Sequence, residues 1–162
     1  MILAGAGQVK STRNATIQTN MTGDKVLIRP YRPEDYLSVK AIYQEGGLYD
    51  EFTDREEGLK DKISRDPGSI LVAEEDQTVV GTVLIIEDAR MALLFRLAVK
   101  GSERNRGIGK KLIAEAEKLL KHRGFKEVNL VVNDKNEELQ SYYEKQGYKK
   151  HRSWRWMAKE LS

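Results

Sequence analysis

Apolar positions along the chain follow two periods, and their alternation outlines the elements. Val26-Leu27-Ile28-Arg29 reads as a short strand closed by Pro30. Pro33-Glu34-Asp35 then opens a helix, because Pro suits a first turn and acids suit the positive end of the helix dipole. Tyr36, Leu37, Val39, Ile42 and Tyr43 form its broad apolar face, and Gly46-Gly47 stops it. Residues Thr53 to Arg65 predict a second helix, with Thr53 as N-cap and Glu56 completing a capping box. After the turn Asp66-Pro67-Gly68 the period falls to that of strands. Ile70–Ala73 is one strand, Glu75-Asp76-Gln77 a hairpin turn, and Thr78–Ile86 a second strand rich in β-branched residues. Met91–Val99 is a third, apolar on both faces and therefore central in the sheet. The helical period returns from Gly107 to His122, with Ile108, Leu112, Ile113, Ala116, Leu119 and Leu120 on one face. Val128–Val132 predicts a strand, Glu137–Gln146 a helix, and Tyr148–Ala158 one or two closing strands.

Antiparallel hairpins followed by a strand–helix–strand crossover predict an α/β (α+β) fold, with a mixed sheet and helices on both faces. Residues 1–23 carry no stable period and are rich in Gly, Ser, Thr and Asn, so they read as a flexible tail ahead of one domain spanning 24–162.

Composition removes several kinds of chemistry. The 162 residues include no cysteine, so no disulfide, thiolate metal site or cysteine nucleophile is expected. Only His122 and His151 remain as nitrogen ligands, without ligand spacing, so no metal is expected. The net charge is +3, and Lys10 and Arg13 in the tail account for two of those charges, which leaves +1 for residues 24–162. A broad nucleic-acid-binding face is not implied. No apolar run approaches the roughly 20 residues of a membrane span, and no basic region precedes the short apolar N-terminus, so a cytoplasmic protein without membrane partners is expected.

The chemically informative stretch runs from Leu97 to Leu112. A central strand enters a loop with two glycines and then a helix, whose first amides are unpaired and carry partial positive charge. Arg104, Arg106, Lys110 and Lys111 add full charges, which suits a pyrophosphate. Neither a Walker loop nor a dinucleotide fingerprint is present. A solvated basic loop capped by glycine is the alternative.

Arg104-x-x-Gly107-x-Gly109, following Leu97-Ala98-Val99, resembles the acetyl-coenzyme A motif of the GNAT N-acetyltransferase superfamily, typically LAV-x-P-x-x-[RQ]-x-x-G-x-G/A. Asn136-x-x-Leu139-x-x-Tyr142-Tyr143-Glu144-Lys145-Gln146-Gly147-Tyr148 is similar to the family's N-x-x-A-x-x-[LF]-Y-E-K-x-G-[FY]. The order of elements matches from about Val26 to Ala158. The resemblance implies a mostly antiparallel GNAT-type sheet, acetyl-coenzyme A as cosubstrate, and transfer to a primary amine of a small molecule, peptide or protein. The protein would work as a monomer or homodimer.

The same resemblance implies that pantetheine pairs with the backbone of Leu97, Ala98 and Val99. Pyrophosphate would lie on the loop from Arg104 through Asn105, Arg106, Gly107, Ile108 and Gly109 to Lys110. It also implies that Asn136 bonds the pantetheine, although Asn is equally suited to a helix N-cap. Tyr143 matches the catalytic tyrosine that protonates the departing thiolate; on residue type alone it is a core aromatic. Without cysteine, direct attack by the amine is implied.

The end of the strand and the turn after it depart from the family pattern. Phe95-Arg96 stands where many members carry acids, so a base is absent there, and Arg96 would attract an acidic substrate group or pair with an acid such as Glu87. Glu87, Asp88, Asp50 and Glu51 are the other candidate bases. Gly101 replaces the usual Pro, which loosens the turn. The acceptor region would be shaped by Glu45 to Thr53 and by Trp154 and Trp156. A non-catalytic acyl-coenzyme A sensor of the same fold is the second reading.

Overall fold

The computed structural model describes residues 25–151 and 157–159. Strands β1 (Val26–Pro30), β2 (Ile70–Glu75), β3 (Thr78–Glu87), β4 (Ala92–Val99) and β5 (Asn129–Leu130) form one sheet in that spatial order. The first three joints are antiparallel, and β4 with β5 is parallel. The helices are α1 (Tyr36–Glu45), α2 (Glu56–Arg65), α3 (Ile108–His122) and α4 (Glu137–Glu144).

Residues of β2 alternate across the sheet. Leu71 and Ala73 join Val83, Ile85 and Leu94 under Ile108, Leu112, Ile113, Ala116 and Leu120 of α3. Ile70 and Val72 join Leu84 and Ala98 against Val39, Ile42 and Tyr43 of α1 and Leu59 of α2. Both faces are covered, which is why the central strands are apolar without interruption. At Gly81 on β3, a Cβ would meet Leu112 Cδ1 at 3.1 Å and Ile108 Cγ2 at 3.3 Å, so glycine there lets the start of α3 lie close on the sheet.

Several expected boundaries move. The β2–β3 turn is two residues, Asp76 and Gln77, with φ of 46° and 63°, the left-handed pair that a tight hairpin needs. The α2 helix begins at Glu56 rather than Thr53. The cause is Asp50, whose Oδ1 accepts from the amides of Phe52 and Thr53 and from the Thr53 hydroxyl, so Thr53 belongs to a turn and not to a cap. The last helix stops at Glu144. Only Asn129 and Leu130 of the expected Val128–Val132 strand are paired. Tyr148–His151 form no strand, and the remainder of the expected closing strands, with Trp154 and Trp156, lies outside the described residues. The expected N-terminal tail lies outside them too.

Two irregularities shape the middle of the sheet. Between the pairs Thr82↔Ala98 and Leu84↔Phe95, two residues of β4 oppose Val83 alone, and Arg96 in this bulge has φ of 54°. Beyond the bulge β4 leaves β5: the pairs Leu93↔Asn129 and Leu94↔Leu130 are the only ones among the described residues. Among the described residues, no strand pairs with the β5-facing edge of Leu97–Val99.

Candidate active site

Strand β4 leads into a 3-10 turn at Gly101–Glu103 and then to α3. Gly107 is the N-cap of α3, with φ of 79°, a conformation glycine adopts without strain. The first helical bond runs from Lys111 N to Gly107 O, so the amides of Gly107, Ile108, Gly109 and Lys110 precede it. Ile108 is fully buried and anchors this end of the helix on the sheet. Leu97 and Val99 pack on the α3 side and Ala98 on the α1 side, while their backbone edge stays free of β5.

The cations Arg104, Arg106 and Lys110 do not act alike. Arg106 binds both Glu75, at 2.7 Å, and Glu103. These partners, Glu75 foremost, raise its pKa further. Its guanidinium is thus committed to bracing the loop against the end of β2. Arg104 is exposed and donates from Nε to Val99 O at 3.2 Å. Asn105, exposed, has φ of 63° in the turn between them. Lys110 is exposed and forms no ion pair among the described residues. The expectation that Gly101 loosens the turn is overturned: its amide donates to Glu45 Oε1 at 2.9 Å, and that carboxylate fills the space a Cβ would need. Proline, lacking an N–H, could not make this bond.

Helix α4 closes the other side. Asn136 is its N-cap, accepting from Leu139 N at 3.0 Å. Tyr143 packs edge-on to Tyr142 (5.3 Å between centroids) and to Tyr148 (5.7 Å). Burial, with a smaller contribution from Tyr142, pushes the Tyr143 phenol up to about 12. It is neutral at physiological pH. Tyr148 is tied by its own hydroxyl, which donates to Glu117 Oε1 at 2.6 Å. The Tyr142 hydroxyl reaches the first turn of α3, 2.9 Å from the point a Cβ on Gly109 would occupy.

Arg96 pairs with Asp54 at 2.9 Å and not with Glu87. Its Nη1 donates to Leu48 O and its Nη2 to Thr53 Oγ1, and the guanidinium lies 5.9 Å from the Tyr43 ring centroid and 5.1 Å from that of Phe95. It therefore ties the α1–α2 connection to the β4 bulge, and its charge is spent inside the protein. Asp54 is 3% exposed. Asp54→Ala should destabilise the fold by about 3 kcal/mol by leaving the cation unpaired, seen as a lowered urea midpoint. An unchanged midpoint would contradict this latch.

The other acids are also engaged. Glu87 meets Arg123 and Ala89 N, and it pairs with Ala92 at the end of β4 remote from Val99, roughly 20 Å away at strand rise. Asp88, beside it, binds Arg90, which with two backbone amides lowers its pKa to about 2. Thr53 and Phe52 hold Asp50 below the usual carboxylate range. Glu51 is exposed in the same turn.

Sequence comparison agrees with this architecture. Residues 34–148 match the Acetyltransferase (GNAT) family. An acetyltransferase of Sodalis glossinidius is 34% identical over 121 residues, which cover 75% of this chain and 85% of that protein. One from Pectobacterium atrosepticum is 32% identical, covering 75% and 86%. Among solved structures, the PaiA N-acetyltransferase of Thermoplasma acidophilum in complex with coenzyme A superposes with a TM-score of 0.69 at 30% identity, covering 76% of this chain and 89% of that one. Ard1 of Thermoplasma volcanium gives 0.67 at 26% identity, covering 76% and 82%. A family match over most of the chain, and a mixed sheet that parts beside a glycine-capped helix start, together establish that this protein belongs to the GNAT family of N-acetyltransferases.

Proposed function

We propose that the enzyme transfers the acetyl group of acetyl-coenzyme A directly to a primary amine of a small molecule, peptide or protein. The observation that carries this reading is the parting of β4 from β5 beyond Leu94, beside the amides of Gly107–Lys110 that precede the first helical bond of α3. A pantetheine arm would pair along Leu97–Val99 as an added strand. The pyrophosphate would take the amides of Gly107–Lys110 with Lys110 alongside, and Arg104 and Asn105 would border it. Arg106 would act by holding the loop, its charge being neutralised by Glu75 and Glu103. Asn136 would meet the pantetheine as well as cap α4.

In the transfer, the amine nitrogen bonds to the thioester carbon, the carbon–sulfur bond breaks, and sulfur leaves with the electron pair. Tyr143 serves the leaving thiolate. Tyr143, kept neutral because burial pushes its phenol up to about 12, would donate its hydrogen bond to the developing thiolate and supply the proton that neutralises sulfur, while the proton of the attacking amine passes to solvent. The absence of cysteine excludes an acetyl-cysteine intermediate.

A thiol-release assay with spermidine, an amino sugar, free lysine and a short peptide as acceptors tests the reading. Release of coenzyme A thiol with at least one acceptor is the expected result. The sensor reading keeps one specific support, the hydrogen bonds and ion pairs that engage Glu87, Asp88 and Asp50. Tight acetyl-coenzyme A binding with no release on any acceptor would favour it.

A further inference from the structure

Position 142 in the motif is ordinarily Leu or Phe, which offers no hydrogen-bond donor; here it is Tyr. Its hydroxyl lies 2.9 Å from the point a Cβ on Gly109 would occupy, and Val99 Cγ2 lies 3.8 Å from that same point. The hydroxyl thus stands where the first turn of α3 meets the C-terminal end of β4. The ring is held there by its edge contact with Tyr143 and by α4, whose start is fixed by the Asn136 cap. No described side chain or carbonyl bonds the hydroxyl, and burial raises its pKa, so it is a neutral donor without a partner among the described residues.

We propose that Tyr142 is an additional coenzyme-binding residue, whose hydroxyl donates a hydrogen bond to a phosphate oxygen seated on the amides at the start of α3. This rests on the coenzyme placement proposed above. A phosphate on the Gly109 and Lys110 amides lies beside the hydroxyl, and a neutral phenol meets an anion without the cost of stripping water from a second charge. The placement also explains a pairing of residues. The family motif accepts Gly or Ala at 109, but in this chain an alanine Cβ would collide with the Tyr142 oxygen. Gly109 and Tyr142 therefore form one unit.

Calorimetric titration with coenzyme A, and competition by inorganic pyrophosphate, test the assignment on the full chain. Tyr142→Phe keeps the ring against Tyr143 and should raise the coenzyme A Kd about tenfold, as expected for loss of a hydrogen bond to a charged group. The inhibition constant of pyrophosphate should rise by a similar factor. Gly109→Ala alone should weaken coenzyme A binding, and in a Tyr142→Leu background it should cost much less, because the colliding oxygen is gone. A coenzyme A Kd for Tyr142→Phe within twofold of the parent protein would overturn the proposal. So would a raised Kd with unchanged pyrophosphate inhibition, or strictly additive effects of Gly109→Ala and Tyr142→Leu. If the parent protein itself binds no coenzyme A, the functional reading fails before this one. If it binds and Tyr142→Phe matches it, only the role of Tyr142 falls.

Discussion

Tyr143→Phe should lower kcat about 100-fold while changing the acetyl-coenzyme A Kd by less than about threefold. The ring is half-buried among Tyr142, Tyr148 and the α3-side core, and Phe preserves that packing. What disappears is one donor. A donor that matters only as sulfur acquires charge affects the transition state and not the bound thioester, so the loss belongs in kcat. The pH–rate profile offers a second check. Burial moves the phenol up to about 12, so the alkaline limb should not report loss of the Tyr143 proton near the ordinary value of about 10. Full turnover by Tyr143→Phe would remove Tyr143 from the reaction and return it to the core.

Gly109→Glu should weaken coenzyme A binding about 1000-fold, with the fold retained. A carboxylate about 4 Å from a phosphate at a protein surface is repelled by about 4 kcal/mol, which corresponds to three orders of magnitude in Kd. The side chain also has to push past the Tyr142 hydroxyl before it reaches solvent. An acid in the first turn suits the helix dipole, so α3 itself should not suffer. Calorimetry alongside thermal unfolding separates the two effects. Near-normal coenzyme affinity in a folded Gly109→Glu variant would remove the phosphates from this helix start.

The elements that could be read from the chain are those held by near neighbours in sequence. The apolar stripe of α3 from Ile108 to Leu120 and the continuous apolar β3 and β4 were legible because burial repeats at the period of the element itself. The glycine-bounded loop before α3 was legible for the same reason. The start of α2 was misread because Thr53, Asp50 and Glu56 compete locally for the same hydrogen bonds, and Asp50 takes Thr53. The short β5 was misread because its pairing ends where β4 bulges, and nothing within residues 128–132 records that.

At the site, the loop and its glycines were legible, and the work of the charges around it was not. The side chain of Arg106 is held by Glu75, 31 residues earlier, and no local pattern announces that pair. For Arg96 the chain leaves open an acidic substrate group or an acid such as Glu87, and the partner is Asp54. Glu45 and Gly101 lie 56 residues apart, and no local pattern joins them. Tyr142 left the one readable trace, a phenol where the motif carries Leu or Phe.

By itself, then, the sequence determined the periodic elements, the mixed fold, the absence of thiol chemistry and the motif positions. These depend on residue type and on spacings shorter than an element. Only the tertiary structure decided which charges are already spent. Ion pairs and hydrogen bonds are short-ranged, and the chain brings their partners within 3 Å only once the sheet has formed.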